Sequence, residues 1–420
     1  MSGRDFDFVI VGGGVTAAAM ASVLVRRGLA PPERVAVLAD RMLSADAAAA
    51  MPDADWDLRV FALSRASQRL LAVCGAWPLL PPYKRCAYER MCVWDSRGDA
   101  SGPGSVRFDC AELGEPNLGY IVEGRALHVQ CLRAARATGA VFIEAAIEAV
   151  DIDRSHARIR LRDGRELQCT LLIAADGADS PTRTMLGIRT AGHAYHQDAL
   201  VAHVRTEKPH QFTAWQRFLP TGPLAFLPLP DGRSSIVWSA ERAEAARVRA
   251  LAPAMFGAAL TAASGGILGA CELTTPIASF PLQLKYAVDY VRPRAALVGD
   301  AAHAVHPLAG QGLNLGFLDC AALAEVIGAE ADPDAGAGAG RYGEHRVLRR
   351  YERWRRSENL LAATAFDGLE RLFSSHNGAI AGLRVAALSA VGRLPFVKRE
   401  LAMRALGLSG DIPAFLTRDG

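Results

Sequence analysis

The chain lacks a C-x-x-C pair. Its eight cysteines are scattered at 74, 86, 92, 110, 131, 169, 271 and 320, which argues against a disulfide framework or a zinc site and fits free thiols in a reducing compartment. It also lacks any run of eighteen apolar, uncharged residues. Residues 8–25 come nearest, and three glycines and a threonine interrupt them, so no membrane-spanning helix is expected. Neither charge sign dominates: 47 Lys and Arg face 44 Asp and Glu, a net +3, too balanced for a nucleic-acid partner. There is no legible Ser-His-Asp or Cys-His arrangement and no internal repeat. Arg4, Asp5 and Asp7 before the first apolar run do not resemble a signal peptide, so a cytoplasmic location is expected. At 420 residues the chain has room for two or three domains.

What is present is glycine in two distant loops. Residues 6–40 read as β-loop-α-β: an apolar strand Phe6–Val11, a turn at Gly12–Gly14, a helix from Val15 to Arg27, and a second strand Val35–Leu38 closed by Asp40. Gly12 and Gly14 let the backbone turn sharply and approach a pyrophosphate, and the helix that follows points its N–H groups at the phosphates. Ala17 stands at the third glycine position and is small enough for close helix–strand packing. Asp40, 23 positions beyond Ala17, is the expected ribose ligand; Glu33 precedes the strand and is read as solvated.

Two further strand ends carry carboxylates. Leu171–Ala175 runs into Asp176-Gly-Ala-Asp-Ser-Pro-Thr-Arg183, and Ala295–Val298 runs into Gly299-Asp300-Ala-Ala-His303. Asp176 reads either as a turn-capping aspartate or as a cofactor ligand. Asp300 can accept hydrogen bonds from a ribityl chain. Gly310-Gln311-Gly312, with the helix beginning near Leu313 and Asn314, can offer N–H groups to negative charge on a flavin ring. Two such loops at opposite ends of one chain point to FAD and to oxidation chemistry. His303 and His306 are three apart, but Pro307 follows at once and no third ligand completes a metal set, so no metal is expected. The basic run Arg346–Arg356 reads as a solvated helix face paired with Glu352 and Glu358, with an anionic membrane or partner surface as the alternative.

The texture suggests a discontinuous cofactor domain, residues 1–185 and 290–330. A sheet domain at 186–289, with part of 60–100 packed on it, is inserted by alternating runs and Pro-Gly turns. Asp334–Gly340 reads as a flexible linker, with helices over 341–373 and 378–405 forming a C-terminal helical region.

Taken together these residues resemble group A flavoprotein monooxygenases, and more closely the ubiquinone-biosynthesis hydroxylase family. The likeness runs through Gly12–Gly14, Asp57-Leu-Arg59, Ala62-Leu-Ser64, Val93-Trp-Asp95, Gly119–Glu123 with Arg125, Pro209-His210, Ala214–Pro220, Leu227–Leu229 and Gly299–Gly316. It implies an α/β fold: a Rossmann-like FAD-binding domain with an inserted antiparallel β-sheet substrate domain and C-terminal helices, para-hydroxybenzoate-hydroxylase-like. It implies that Gly12, Gly14, Asp40, Arg59, Arg125, Asp176 and Asp300 contact FAD, and that Pro307 to Asn314 line the flavin ring. Gly124 departs from the family, which often carries Asn there, and the acidic residue after the second strand often falls at the position of Ala39.

The implied reaction is hydroxylation of a polyprenylated phenol in ubiquinone biosynthesis. NAD(P)H or another donor reduces FAD, dioxygen adds at the flavin C4a, and the hydroperoxide passes one oxygen to the ring. Pro307, Gly310, Gln311 and Gly312 are the residues expected to stabilise the flavin intermediate, with no acid–base residue assigned. Trp215, Phe218 and Phe226 are candidates for an apolar substrate chamber. Expected partners are the substrate, dioxygen, other subunits of a biosynthetic complex and a peripheral contact with the inner membrane. Two other readings stand beside this one: flavin-dependent oxidation or reduction of a lipid-like substrate without oxygen insertion, and a non-catalytic FAD-binding subunit.

Overall fold

The run Phe8–Val11 is buried on both faces, as a parallel strand between two layers must be. Phe8 and Ile10 face a helical layer; Val9 and Val11 face an antiparallel hairpin that carries Ala157, Ile159 and Leu161. The computed structural model describes residues 4–43, 56–102, 104–304, 312–330, 341–374, 389 and 394–417. Its main helices are α1 (Val15–Arg26), α2 (Arg65–Val73), α3 (Gly124–Arg136), α4 (Pro181–Met185), α5 (Arg242–Arg249), α6 (Pro253–Ser264), α7 (Gly312–Gly328), α8 (His345–Ser374) and α9 (Pro395–Ala405).

Three sheets organise the chain. The first takes the order Val291–Arg292, Ala295–Leu297, Glu166–Ala174, Arg4–Val11, Val35–Ala39, Val141–Glu144. Along this order all neighbours are parallel except the short first strand, and the hairpin Ile147–Ile152 and Ala157–Leu161 joins Glu166–Ala174 antiparallel. A small second sheet joins Val60–Leu63, Gly119–Glu123 and Arg85–Tyr88. The large third sheet contains Thr190–Thr206, Thr213–Leu219, Gly222–Pro228, Ser234–Glu241 and Ala278–Ala287. It also recruits Arg90–Asp95, Ser105–Asp109 and, at its edge, His303–Ala304.

The reading of 190–290 as sheet alone needs correction, because α5 and α6 lie within it. Pro253 opens α6 at its first position and Gly265, at φ 69°, ends it, both ordinary helix punctuation. The alanine-rich interior carries no clear apolar period, which is why it did not read as a helix. These helices cover one face of the large sheet through Val248, Phe256 and Leu260 against Leu200, Leu224, Phe226 and Trp238. The opposite face meets the second sheet: Ala214, Leu227 and Val237 pack against Ala62, Cys86 and Ile121.

The C-terminal part also differs from expectation. Val347, Leu348 and Tyr351 of α8 belong to the core of the parallel sheet, and the Tyr351 hydroxyl donates to the Leu297 carbonyl at 2.7 Å. The first half of α8 is therefore part of the cofactor unit's core. Its basic run is largely paired: Arg346 with Glu344, Arg349 with Glu352, Arg350 with Glu330, and the buried Arg355 with Asp319. The expected linker at 334–340 lies outside the described residues.

His203 is fully buried in the large sheet, within electrostatic reach of Asp57 and the Leu58 backbone, the segment that delivers Arg59. Burial, reinforced by the Arg233 charge, lowers its pKa to about 4. Folded His203 therefore stays neutral where the unfolded chain, near pH 6.5, takes a proton. Stability should be complete above about pH 6.5 and fall by up to about 3 kcal/mol as pH drops towards 4. Urea unfolding at pH 7.5 and 5 checks this; His203→Leu should flatten the difference.

Candidate cofactor and active site

In a parallel sheet the loops after adjacent strands open at one edge. Here Gly12 follows the strand Arg4–Val11, Asp40 follows Val35–Ala39, Asp176 follows Glu166–Ala174, and Asp300 follows Ala295–Leu297. Four positions separated by up to 288 residues in sequence thus share one rim. A cleft of about 540 Å³ runs along it, lined by Gly12, Gly14, Asp40, Arg41, Arg162 and Asp176, among others.

The two glycines serve different ends. Gly12 has φ 136°, and a Cβ there would stand 2.3 Å from the Ala175 carbonyl oxygen. Gly14, the N-cap of α1, has extended backbone, and a Cβ on it would meet nothing within 4 Å. The space beside Gly14 is a cradle at a helix N-terminus with no acidic residue in its first turn, which suits a pyrophosphate. Ala17 is fully buried in the core. Its contribution is to helix–sheet packing, a correction to its expected place among the cofactor contacts.

Arg59 and Arg125 are both exposed. The Gly124 amide donates to the Arg59 carbonyl at 2.8 Å, which brings the start of α3 beside Arg59. This explains the family departure at Gly124: a Cβ there would lie 2.8 Å from that carbonyl and 3.3 Å from the Phe61 ring. One turn on, His128 Nε2 meets the Gly13 carbonyl at 2.6 Å and so donates its proton, fastening α3 to the glycine loop. His128 was invisible to sequence reading, as its partner is 115 residues away.

The aspartates divide by their partners. Asp176 accepts from Ser180 Oγ with one oxygen and from the Thr182 amide, at 3.0 Å, with the other. It thus holds the turn into α4 and borders the cleft as well. Arg183, which closes that motif, donates to the carbonyls of Ala301 and Ala178 at 2.8 Å each and staples the second motif to the third. Asp300 is exposed and has no hydrogen-bond partner among the described residues. Crowding by protein raises its carboxyl pKa, against the pull of His303 and Arg59. Its Oδ1 stands 4.0 Å from where a Gly312 Cβ would lie, so the N-terminus of α7 and Asp300 border one space.

Below Asp300 lies a charge cluster that sequence reading missed. Asp319 is fully buried and accepts four hydrogen bonds, from the Gly299 amide, His303, Arg355 and Asn359. Burial alone would raise its pKa, but the charges and hydrogen bonds of His303 and Arg355 outweigh it and hold it at about 2. His303 is thus a hydrogen-bond donor to Asp319 through Nε2, and no metal-ligating group of three occurs among the described residues.

Several expected residues are placed differently. Asn314 accepts from the Ser64 amide and Ser67 Oγ and donates to the Ala62 carbonyl. Its side chain is spent on tying α7 to α2, so its backbone is what it can offer a cofactor. Leu313 packs on the core. Trp215 and Phe226 are cross-strand neighbours on the face covered by α5 and α6, and Phe226 is 1% exposed. Neither can line a chamber on the cofactor side. Phe218, an odd number of residues from Trp215, lies on the opposite face. Pro307, Gly310 and Gln311 lie outside the described residues.

Comparison with known proteins gives the family and the fold. Residues 127–350, more than half the chain, match a family model described as an FAD binding domain. A 3-demethoxyubiquinol 3-hydroxylase of Escherichia coli is 33% identical over 97% of this chain and 100% of its own length. Ubiquinone hydroxylase UbiL of Rhodospirillum rubrum is 36% identical over 96% of this chain and 89% of its own. Among solved structures, p-nitrophenol 4-monooxygenase PnpA of Pseudomonas putida shares the fold, with a TM-score of 0.72 at 19% identity over 96% of this chain and 98% of that one.

Two substitutions separate structural from cofactor roles. Gly12→Ala should destabilise the apoprotein by several kcal/mol through backbone collision, whereas Gly14→Ala should cost at most about 1 kcal/mol and still weaken FAD binding; melting and flavin titration read both. Phe226→Ala should cost about 3–5 kcal/mol of stability without altering KM in the protein that remains folded.

Proposed function

The chain belongs to the FAD-dependent hydroxylases of ubiquinone biosynthesis, and on that premise we propose that it inserts one atom of dioxygen into the aromatic ring of a polyprenylated phenol. The observation that carries this is the shared rim, where Gly14 at the start of α1, Asp40 and Asp176 line one cleft, and Arg59, Asp300 and the N-terminus of α7 lie close to one another. When bound, FAD accepts two electrons from a donor and supplies the oxygen chemistry, with water as the second product.

The chain's own residues do the positioning. The α1 N-terminus and Gly14 receive the pyrophosphate, with Arg59 and Arg125 as guanidinium forks for its oxygens. Asp40 takes the ribose, and Asp300 accepts from ribityl hydroxyls. Gly312, Leu313 and Asn314 present backbone N–H groups of the first α7 turn, favouring negative charge on the ring edge. The substrate ring lies against the large-sheet face that carries Gln216, Phe218 and Ala225. NAD(P)H is the proposed donor.

A peripheral membrane contact fits the same reading. No described helix is long and apolar enough to cross a membrane. At α9, however, Phe396 is 82% and Leu401 47% exposed, with the exposed Arg399 between them, a mixture suited to an anionic lipid surface; Lys398 is paired with Glu112.

Incubation with FAD, NAD(P)H, a prenylated phenol and labelled dioxygen tests the reaction. The product should carry one labelled oxygen on the ring. Turnover that yields an oxidised product without label would establish an oxidase or reductase instead.

A further inference from the structure

We propose that Asp319 is a positioning residue for the cofactor. It acts through Gly299 and His303 to hold Asp300 in place, and it makes cofactor binding and the docking of α8 one linked event. This rests on the reading of the rim as an FAD site.

The geometry is that of a clamp. Asp319 Oδ2 accepts from the Gly299 amide at 3.0 Å and from His303 Nε2 at 2.6 Å. These are the two ends of a five-residue turn whose exposed member is Asp300. Gly299 is left-handed, at φ 61°, and a Cβ on it would lie 3.0 Å from Thr16 Cγ2, so the turn is wedged against the start of α1. Asp319 Oδ1 accepts from Arg355 Nε at 2.8 Å and Asn359 Nδ2 at 3.1 Å, both on α8. The Arg355 fork also reaches Asn359 Oδ1 at 2.8 Å. One carboxylate therefore joins the turn that presents Asp300 to a helix beginning 45 residues further along the chain.

Stability alone is a poor explanation for this cluster. Desolvating a carboxylate and a guanidinium is costly, and well-packed apolar side chains would serve a core at least as well. What apolar residues would not do is fix the Gly299 amide and the His303 ring at set distances. Hydrogen bonds within and beside the turn exist too: Ala302 N to Gly299 O at 2.8 Å, and Arg183 to Ala301 O at 2.8 Å. These bonds, with the pairing of His303 and Ala304 to Tyr286 and Lys285, hold the backbone of the turn; the clamp adds a shared side-chain tie between its two ends and α8. Because linkage is reciprocal, any affinity that FAD gains from an ordered turn is returned as tighter docking of α8.

A double-mutant cycle on FAD affinity tests this. Fluorescence titration of the apoproteins compares His303→Leu in the parent and in an Asp300→Ala background. His303→Leu should weaken FAD binding about tenfold in the parent and less than about twofold once Asp300 is gone. Equal losses in both backgrounds, or no loss in a folded His303→Leu protein, would overturn the proposal. If His303→Leu does not fold, hydrogen exchange of the unaltered protein decides. FAD should slow exchange of the amides at 345–361, and unchanged exchange in a protein that binds FAD would refute the linkage. Absence of FAD binding by the unaltered protein would instead defeat the reading of the rim itself, and this inference with it.

Discussion

A Cβ on Gly12 would lie 2.3 Å from the Ala175 carbonyl oxygen, and a Cβ on Gly316 3.0 Å from Gly299 Cα. The site depends on these two close approaches. Strand ends Val11 and Ala174 are paired neighbours, so the loops that follow them must either diverge or touch. Glycine lets them touch, which brings the N-terminus of α1 against the Asp176 turn and the N-terminus of α7 against Gly299 and Thr16. Two helix N-termini without acidic residues in their first turns then face one rim, joined by Arg59 and Arg125. Backbone N–H groups at both helix starts are thereby directed to one side of the sheet, an arrangement suited to an anionic ligand.

On that side, three aspartates have different fates because their surroundings differ. Asp176 gives both oxygens to its own turn. Asp319 is buried with four donors and stays ionised well into acid. Of these three, Asp300 keeps its acceptors available at the rim, and its carboxyl is the one whose pKa is raised. An exposed carboxylate that no protein donor occupies among the described residues, within reach of the Arg59 charge, is suited to a ligand that brings hydroxyl donors of its own.

Sequence reading reached the parts of the site that are local. Gly12, Asp176 and Asp300 each sit where an apolar run breaks into a turn, and parallel strands then oblige those turns to meet. It could not reach the contacts that hold the turns together. His128 meets Gly13 across 115 residues, Arg183 meets Ala301 across 118, and Arg355 meets Asp319 across 36. Arg355 in particular looked like one more member of a solvated basic run, and only the packing of α8 on α7 distinguishes it from Arg346 or Arg350. Sequence reading groups Trp215, Phe218 and Phe226 as one chamber, although Trp215 and Phe218 are an odd number of residues apart on one strand and so face opposite ways; which face is turned to the cofactor depends on α5 and α6, whose alanine-rich sequence hid them.

That last point bears on how the proposed substrate is accommodated. An aromatic-lined chamber is the intuitive expectation for a phenol, since rings stack. Yet Trp215, Phe226 and Trp238 are all used on the helix-covered side, where they fill the space under α5 and α6 at the density a core requires. The face opposite carries Ala214, Gln216, Ala225 and Val237, next to Phe218. On that face Ala214 and Val237 pack against Ala62, Cys86 and Ile121 of the second sheet, and the buried amide of Gln216 can orient a hydroxyl. Alternation thus divides these strands between a face covered by α5 and α6, which holds the large rings, and a face that meets the second sheet and, in the proposed function, the substrate ring.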